Sequence, residues 1–303
     1  MPPHARIAAA FHALPASVRA AIWMTFAALC FTGMNGTIRM VSDELPAFEI
    51  VFLRNLIGVG FMLPWVARNG ANVLQTNRHR LYLFRALIAF TAMSCWFAGV
   101  TMMPLAEATA VSFTGPIFST AAAAVLLGET VRIRRITAMA VGLVGVLVVL
   151  RPGFQAIGVA QMLILGNAVI GAIGAVTVKQ LTRTESSSVI VTYMTLYTTP
   201  IALIPALFVW VTPSWSAMGW MLGLGLFGLT AHNAFTRAFA VADTALVMAF
   251  DYARLPFIAL LGWLAFGEAP DRWTWIGSLI IIGSTIYIAQ REAVLARRRR
   301  EAG

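Results

Sequence analysis

Apolar positions along this chain neither alternate with polar ones nor recur at helical intervals among them; they run on. Ten stretches of about twenty residues are almost wholly apolar: 21–39, 48–67, 81–101, 106–127, 133–150, 159–178, 189–210, 217–237, 244–265 and 272–289. Runs of this length predict helices that cross a bilayer, since roughly 20 residues span a hydrocarbon core of about 30 Å. A membrane strand would alternate polar and apolar over about ten residues, so a helical bundle is expected and a barrel is not. The connectors are short, which leaves no room for an extramembrane catalytic domain.

The runs fall into two groups of five. The fourth carries Pro116 and ends in Leu126-Leu127-Gly128-Glu129; the ninth carries Pro256 and ends in Ala265-Phe266-Gly267-Glu268. Each Gly-Glu precedes a short connector and a further apolar run. Ala106-Glu107-Ala108 before the fourth is echoed by Ala242-Asp243-Thr244 before the ninth, and Pro64 in the second by Pro200 and Pro205 in the seventh. The expected plan is an N-terminal tail 1–20, a five-helix repeat 21–150, a linker 151–158 containing Arg151-Pro152-Gly153, a second repeat 159–289 and a basic tail 290–303. Five is odd, so the second repeat enters the membrane inverted. Paired repeats with Gly/Pro-interrupted segments at matching positions point to a binding site between them.

Composition agrees with a lipid solvent: 59% hydrophobic and 11% charged residues over 303 positions, with a mean hydropathy of +0.81, leave too little polar surface for a water-soluble globule. The net charge of +10 invites a nucleic-acid reading, but its distribution argues against one. With the N-terminus in the cytoplasm, Arg6, Arg19, Arg68, Arg78, Arg80, Arg85, Arg132, Arg134, Arg135, Lys179, Arg183, Arg237, Arg291 and Arg297 to Arg300 all face that side, 17 of the 22 basic residues. The other side receives Arg151 and Arg272, while Arg39, Arg54 and Arg254 lie in or at the edge of runs. This asymmetry predicts both termini in the cytoplasm. No folded basic surface remains for nucleic acid. The first twenty residues, interrupted by His12 and Pro15, do not read as a cleaved signal, so the first span is expected to be retained. Cys30 and Cys95 both fall inside apolar runs, and neither a metal-ligand spacing nor a phosphate loop nor a redox-cofactor motif is present, so no metal and no cofactor is expected.

Phe113-Thr114-Gly115-Pro116 with Leu126-Leu127-Gly128-Glu129, and Phe250-Asp251-Tyr252-Ala253-Arg254-Leu255-Pro256 with Phe266-Gly267-Glu268, set within ten helices in two halves, resemble the EamA family of the drug/metabolite transporter superfamily. The resemblance runs from about Trp23 to Ala289 and includes amino-acid exporters of the YddG type. It implies an all-α inner-membrane carrier working by alternating access, with a cavity bounded by the first, third and fourth helices and by the sixth, eighth and ninth.

Polar residues within the runs are candidates for such a cavity, because an isolated polar or charged group in lipid needs a partner or water. Asp251 and Arg254, three apart, can share a helix face as a pair or line the path. Tyr252 beside them can offer a phenol, and Pro256 is expected to free the carbonyl of Tyr252. His232 and Asn233 read either as interhelical hydrogen-bonding groups or as substrate contacts. Asn35, among Thr32 and Gly33, is expected to face a ligand, with Asn167 at the comparable place in the second half; Ser112 and the Trp96 ring complete the candidate lining. Pro116 and Pro256 are expected to interrupt their helices. Glu129 and Glu268 read as caps of the helix that follows each, and Arg54 as a side chain that snorkels or meets a backbone carbonyl.

The expected function is transport of a small molecule through the lipid bilayer, with broad-specificity export of neutral and aromatic amino acids foremost because the apolar runs hold few charges. Carriage of S-adenosylmethionine or a nucleotide-sugar-like solute is the alternative. An enzyme would need clustered catalytic groups that four scattered histidines do not supply, and a channel or scaffold is the remaining class. A monomer is compatible with the pattern.

Overall fold

The computed structural model describes residues 11–70, 74–112, 114–128, 133–150 and 158–268, with parts of 272–284. Among these residues the fold is all helix. α1 is Ala16–Val41, α2 Ala47–Asn69, α3 His79–Thr101, α4 Leu105–Ser112, α5 Gly115–Leu127, α6 Ile133–Leu150, α7 Val159–Leu181, α8 Ser187–Phe208, α9 Trp215–Val241, α10 Thr244–Asp251 and α11 Arg254–Phe266. Six segments are long and apolar enough to cross a membrane, the last of them running through α10 and α11. The fourth and ninth apolar runs are therefore each two helices rather than one. Most of the tenth run, Glu129 and the linker Arg151-Pro152-Gly153 lie outside the described residues.

Local sequence explains the helix ends. Pro46 stands just before α2, where a missing N–H costs nothing. Ser186 and Ser214 accept hydrogen bonds from Val189 N and Ala217 N at the starts of α8 and α9. Gly128 and Gly267 close α5 and α11 in the left-handed conformation, φ 65° and 67°, which only glycine adopts without strain.

The two halves keep strict register. α4 and α10 are each 8 residues long and α5 and α11 each 13, with Gly128 and Gly267 at matching ends. α1 and α7 end on the same five-residue turn, before Ala47 and Ser187. The halves pack by exchange: α1 lies along α9 in the most extensive contact of the bundle, and α3 along α7 in the next, so the first helix of each half rests on the third of the other. α2 and α8 pair between them.

The helix ends sort into two groups. At one end Arg39 donates to Val100 O at the end of α3 and to Met103 O just beyond it, at 3.0 and 2.8 Å. At the other, Lys179 donates to Phe239 O and Ala242 O at the end of α9, at 2.9 and 2.6 Å. Each cation satisfies carbonyls that the helix terminus leaves unpaired and opposes the negative end of its dipole. Arg39 is further joined to Glu268 at 2.6 Å, whose second carboxylate oxygen accepts from Leu105 N at 3.0 Å. Glu268 thus caps α4 of the other half; the start of the helix that follows it in sequence lies outside the described residues. Asp43, Glu44 and Glu49 share this end; Arg68, Arg78 and Arg183 lie at the opposite one, where Thr76 donates to Glu185 at 2.7 Å.

Candidate functional site

The helix breaks face one another across the bundle interior and define the site. α4 ends at Ser112 and α5 begins at Gly115; the corresponding break in the second half falls between Asp251 and Arg254. All four residues line a single cavity of about 200 Å³. The breaks precede the prolines: Pro116 is the second residue of α5 and Pro256 the third of α11, so Pro256 stands one place later in register than Pro116. The carbonyl of Tyr252, expected to be freed by Pro256, instead accepts from Leu255 N at 3.3 Å in a tightened turn. A proline in the first turn removes a donor that has no intrahelical partner in any case, so it starts a helix here rather than opening one.

Much of the cavity lining is aromatic and sulfur-rich: Phe31, Trp96, Phe97 and Phe235 with Met34, Met93 and Met248. Polar side chains are set among these. Asn35, 1% exposed, accepts from Trp96 Nε1 at 2.8 Å, which fixes both side chains and leaves the amide nitrogen of Asn35 without a partner. Asn167 donates to Ala92 O at 2.8 Å, so it is anchored to α3 as Asn35 is. It is not the counterpart of Asn35, however: matching the turns after α1 and α7 puts Ala175 at that place, and Asn167 lies eight residues, about two turns, earlier. His232 packs edge-on against Phe31 with ring centroids 5.3 Å apart.

Asp251 and Arg254 both line the cavity and pair at 3.3 Å. Arg254 also reaches Ser112 Oγ at 3.4 Å, tying the two helix breaks together, and its guanidinium lies 5.6 Å from the Phe31 ring and 5.9 Å from the Trp96 ring. Two other candidates are elsewhere. Tyr252 is fully buried in the core beside Gly142, and Asn233 turns away to accept from Arg237 Nε at 2.6 Å.

Two charged lining residues were not foreseen. Arg54, 2% exposed, neither snorkels nor meets a carbonyl; its Nη1 donates to Asn55 Oδ1 at 3.1 Å and approaches Met93 Sδ at 3.5 Å. Its guanidinium fills a slot on α9 open only because residue 228 is glycine, since a Cβ there would lie 2.5 Å from Nε and Nη2. Arg85, assigned by sequence to the cytoplasmic surface, is 8% exposed and turned into the cavity. Helical facing would have been the signal, but an apolar run buried on most sides has too little periodicity to reveal it.

At the Arg39 end the cavity stops. Arg39 lies one turn beyond Asn35, and Val100 one turn beyond Phe97; Ile38, Val100 and Leu105 are fully buried around the ion pair. The arrangement is a cavity within a helical bundle, built from both halves at interrupted helices, which defines a membrane carrier of small molecules.

Comparison with known proteins agrees. Residues 18–151 and again 158–290 match the EamA-like transporter family, and the chain belongs to that family. It is a multi-pass inner-membrane protein. It is 31% identical to a riboflavin transporter of Vibrio cholerae over 93% of this chain and 97% of that one. It is 28% identical to an S-adenosylmethionine uptake transporter of Rickettsia prowazekii (84% and 86%) and 27% identical to the pseudopaline exporter CntI of Pseudomonas aeruginosa (87% and 93%). A solved crystal structure of 21% identity shares the fold, with a TM-score of 0.71 over 92% of this chain and 98% of its own. No amino-acid exporter is among these relatives, and they include both uptake and export carriers.

Proposed function

We propose that this protein is an alternating-access carrier for a small metabolite bearing a planar ring and an acceptor-rich edge, with a flavin as the first candidate. The observation that carries this reading is the cavity itself, whose lining combines the aromatic rings of Phe31, Trp96 and Phe235 with donors from Asn35, Arg54, Arg85 and Arg254. A ring stacks on the first, and the carbonyl and ring-nitrogen acceptors of a flavin meet the second. The names of two relatives at 31% and 30% identity, both riboflavin transporters, point the same way. The test is flux of labelled riboflavin into liposomes holding the purified full chain, with S-adenosylmethionine and a panel of neutral amino acids as competitors. Saturable riboflavin movement is expected; no movement and no competition by riboflavin overturns the reading.

A second reading keeps the amino-acid substrate expected from sequence. Asp251 is an acid on the cavity wall with Arg254 beside it, the pair of charges a zwitterion needs. Flux of several neutral amino acids without riboflavin flux selects it. For the fold we propose ten spans, both termini in the cytoplasm and repeats of 21–150 and 159–289. The alternating positions of the described connectors and the collection of Asp43, Glu44, Glu49 and Glu268 at the end opposite Arg68, Arg78 and Arg183 support this arrangement.

A further inference from the structure

The charges on the cavity wall do not balance. Three guanidinium groups, Arg54, Arg85 and Arg254, line it, and Asp251 is the acid among its described lining residues. Asp251 is paired with Arg254. Four other described carboxylates are engaged at the ends of the bundle: Glu49 with Val211 N, Glu268 with Arg39 and Leu105 N, Glu44 with Ser214 and Glu185 with Thr76. Among the described residues no carboxylate pairs with Arg54 or Arg85, and Arg54 Nη2 and Arg85 Nε, both buried, have no hydrogen-bond partner. A guanidinium does not shed its proton to relieve this, as a lysine would.

Two uncompensated cations inside a membrane protein cost several kcal/mol each unless something neutralises them. The helices nevertheless hold both groups in place. Arg54 lies in the slot at Gly228 on α9, and Arg85 against Gly174 on α7, where Nη1 is 3.5 Å from the position a Cβ would take. Each arginine belongs to the first half and lies against a glycine of the second, Arg54 in a notch that a Cβ would fill and Arg85 at ordinary contact distance. His232 lines the same cavity as both.

We propose that Arg54 and Arg85, which line the cavity together with His232, form an anion subsite: a carboxylate or similarly anionic group sits there during transport, accepting from Arg54 Nη2 and Arg85 Nε. The subsite rests on the reading of this cavity as the transport path, and it holds for any substrate ring. The anion has two possible sources, the solute itself or a small inorganic anion such as chloride carried with it. Since both guanidiniums bridge the two halves, an anion bound between them also links the halves that must move relative to one another.

The test compares 1-naphthoate with 1-naphthamide, probes of one ring system that differ in charge, by titration calorimetry on the full chain in gluconate buffer. The carboxylate is expected to bind at least about tenfold tighter, the scale of one charge-assisted hydrogen bond. In Arg54→Gln and in Arg85→Gln the preference should shrink to within about threefold, and Arg85→Lys should keep part of it. The preference is a ratio measured on one sample, so partial misfolding of a variant does not mimic it. If neither Gln variant is monodisperse, the wild-type ratio and the Lys variant decide. Equal binding of the two probes by the wild type, or an undiminished preference in both Gln variants, overturns the subsite. Replacing gluconate with chloride separates the sources: competitive loss of naphthoate binding together with labelled-chloride flux assigns the subsite to a co-carried anion, and no effect assigns it to the solute. Riboflavin flux with no anion preference would leave the proposed function standing and remove the subsite; anion preference without riboflavin flux would do the reverse.

Discussion

Arg54 shows how a single position on another helix decides what a cavity offers. Its guanidinium reaches the cavity only through the notch at Gly228, and a methyl there would stand 2.5 Å from two of its nitrogens. Gly228→Ala is therefore expected to lower stability by about 1–3 kcal/mol through overpacking, read as a drop in the thermal midpoint in detergent. In an Arg54→Ala background the same change should cost close to nothing, because the clash partner is gone; a full cost in both backgrounds would show that Arg54 is not what the glycine accommodates. That Asn35, Trp96, Asp251 and Arg254 line the cavity was legible in the sequence, because a polar group within an apolar run must be satisfied by something. Arg54 and Arg85 were misread for the same physics applied at the wrong range: an arginine within two turns of a helix end can reach the headgroups, and hydropathy alone does not say which way it points. Tyr252 and Asn233 were misread because neighbours in sequence on a helix point in different directions.

Among the helices, the most telling feature is the clamp where three of them meet. Glu268 holds Arg39 at the end of α1 and the first N–H of α4, while Arg39 also holds carbonyls at the end of α3 and just beyond it. One carboxylate thus secures the end at which the cavity is closed. Glu268→Ala removes two charge-assisted hydrogen bonds and leaves Arg39 without its anion, so a loss of roughly 2–4 kcal/mol is expected. Glu268→Gln, which keeps an acceptor for Leu105 N, should lose about half as much. Equal midpoints for wild type and Glu268→Ala would rule out the clamp as a stabilising contact. The Gly-Glu echo was visible in the sequence and its glycine half was read correctly as a helix end. Its partner in space was not visible, because Arg39 lies 229 residues away and the contact depends on how the repeats exchange their first and third helices.

For the whole molecule, the repeat makes predictions about topology stronger than the charge count alone. Glu44 accepts from Ser214 Oγ at 2.8 Å, which joins the connector after α1 to the one after α8. Thr76 bonded to Glu185 joins the connectors after α2 and α7. Positions 42 and 212 must therefore share one side of the membrane, and positions 77 and 186 the other, whatever the absolute orientation. The basic asymmetry then assigns the second side to the cytoplasm. In a background with Cys30 and Cys95 replaced by alanine, single cysteines at Ser42 and Thr212 are expected to react with an impermeant thiol reagent added to intact cells. Those at Asn77 and Ser186 should react only after permeabilisation. Labelling of all four in the reverse sense would invert the orientation and keep the bundle. Labelling of Ser42 without Thr212 would be incompatible with the repeat itself, since the two connectors are held together by a hydrogen bond between halves. The paired pattern is thus a test of the inverted architecture on which the cavity, the exchange of helices and the anion subsite all depend.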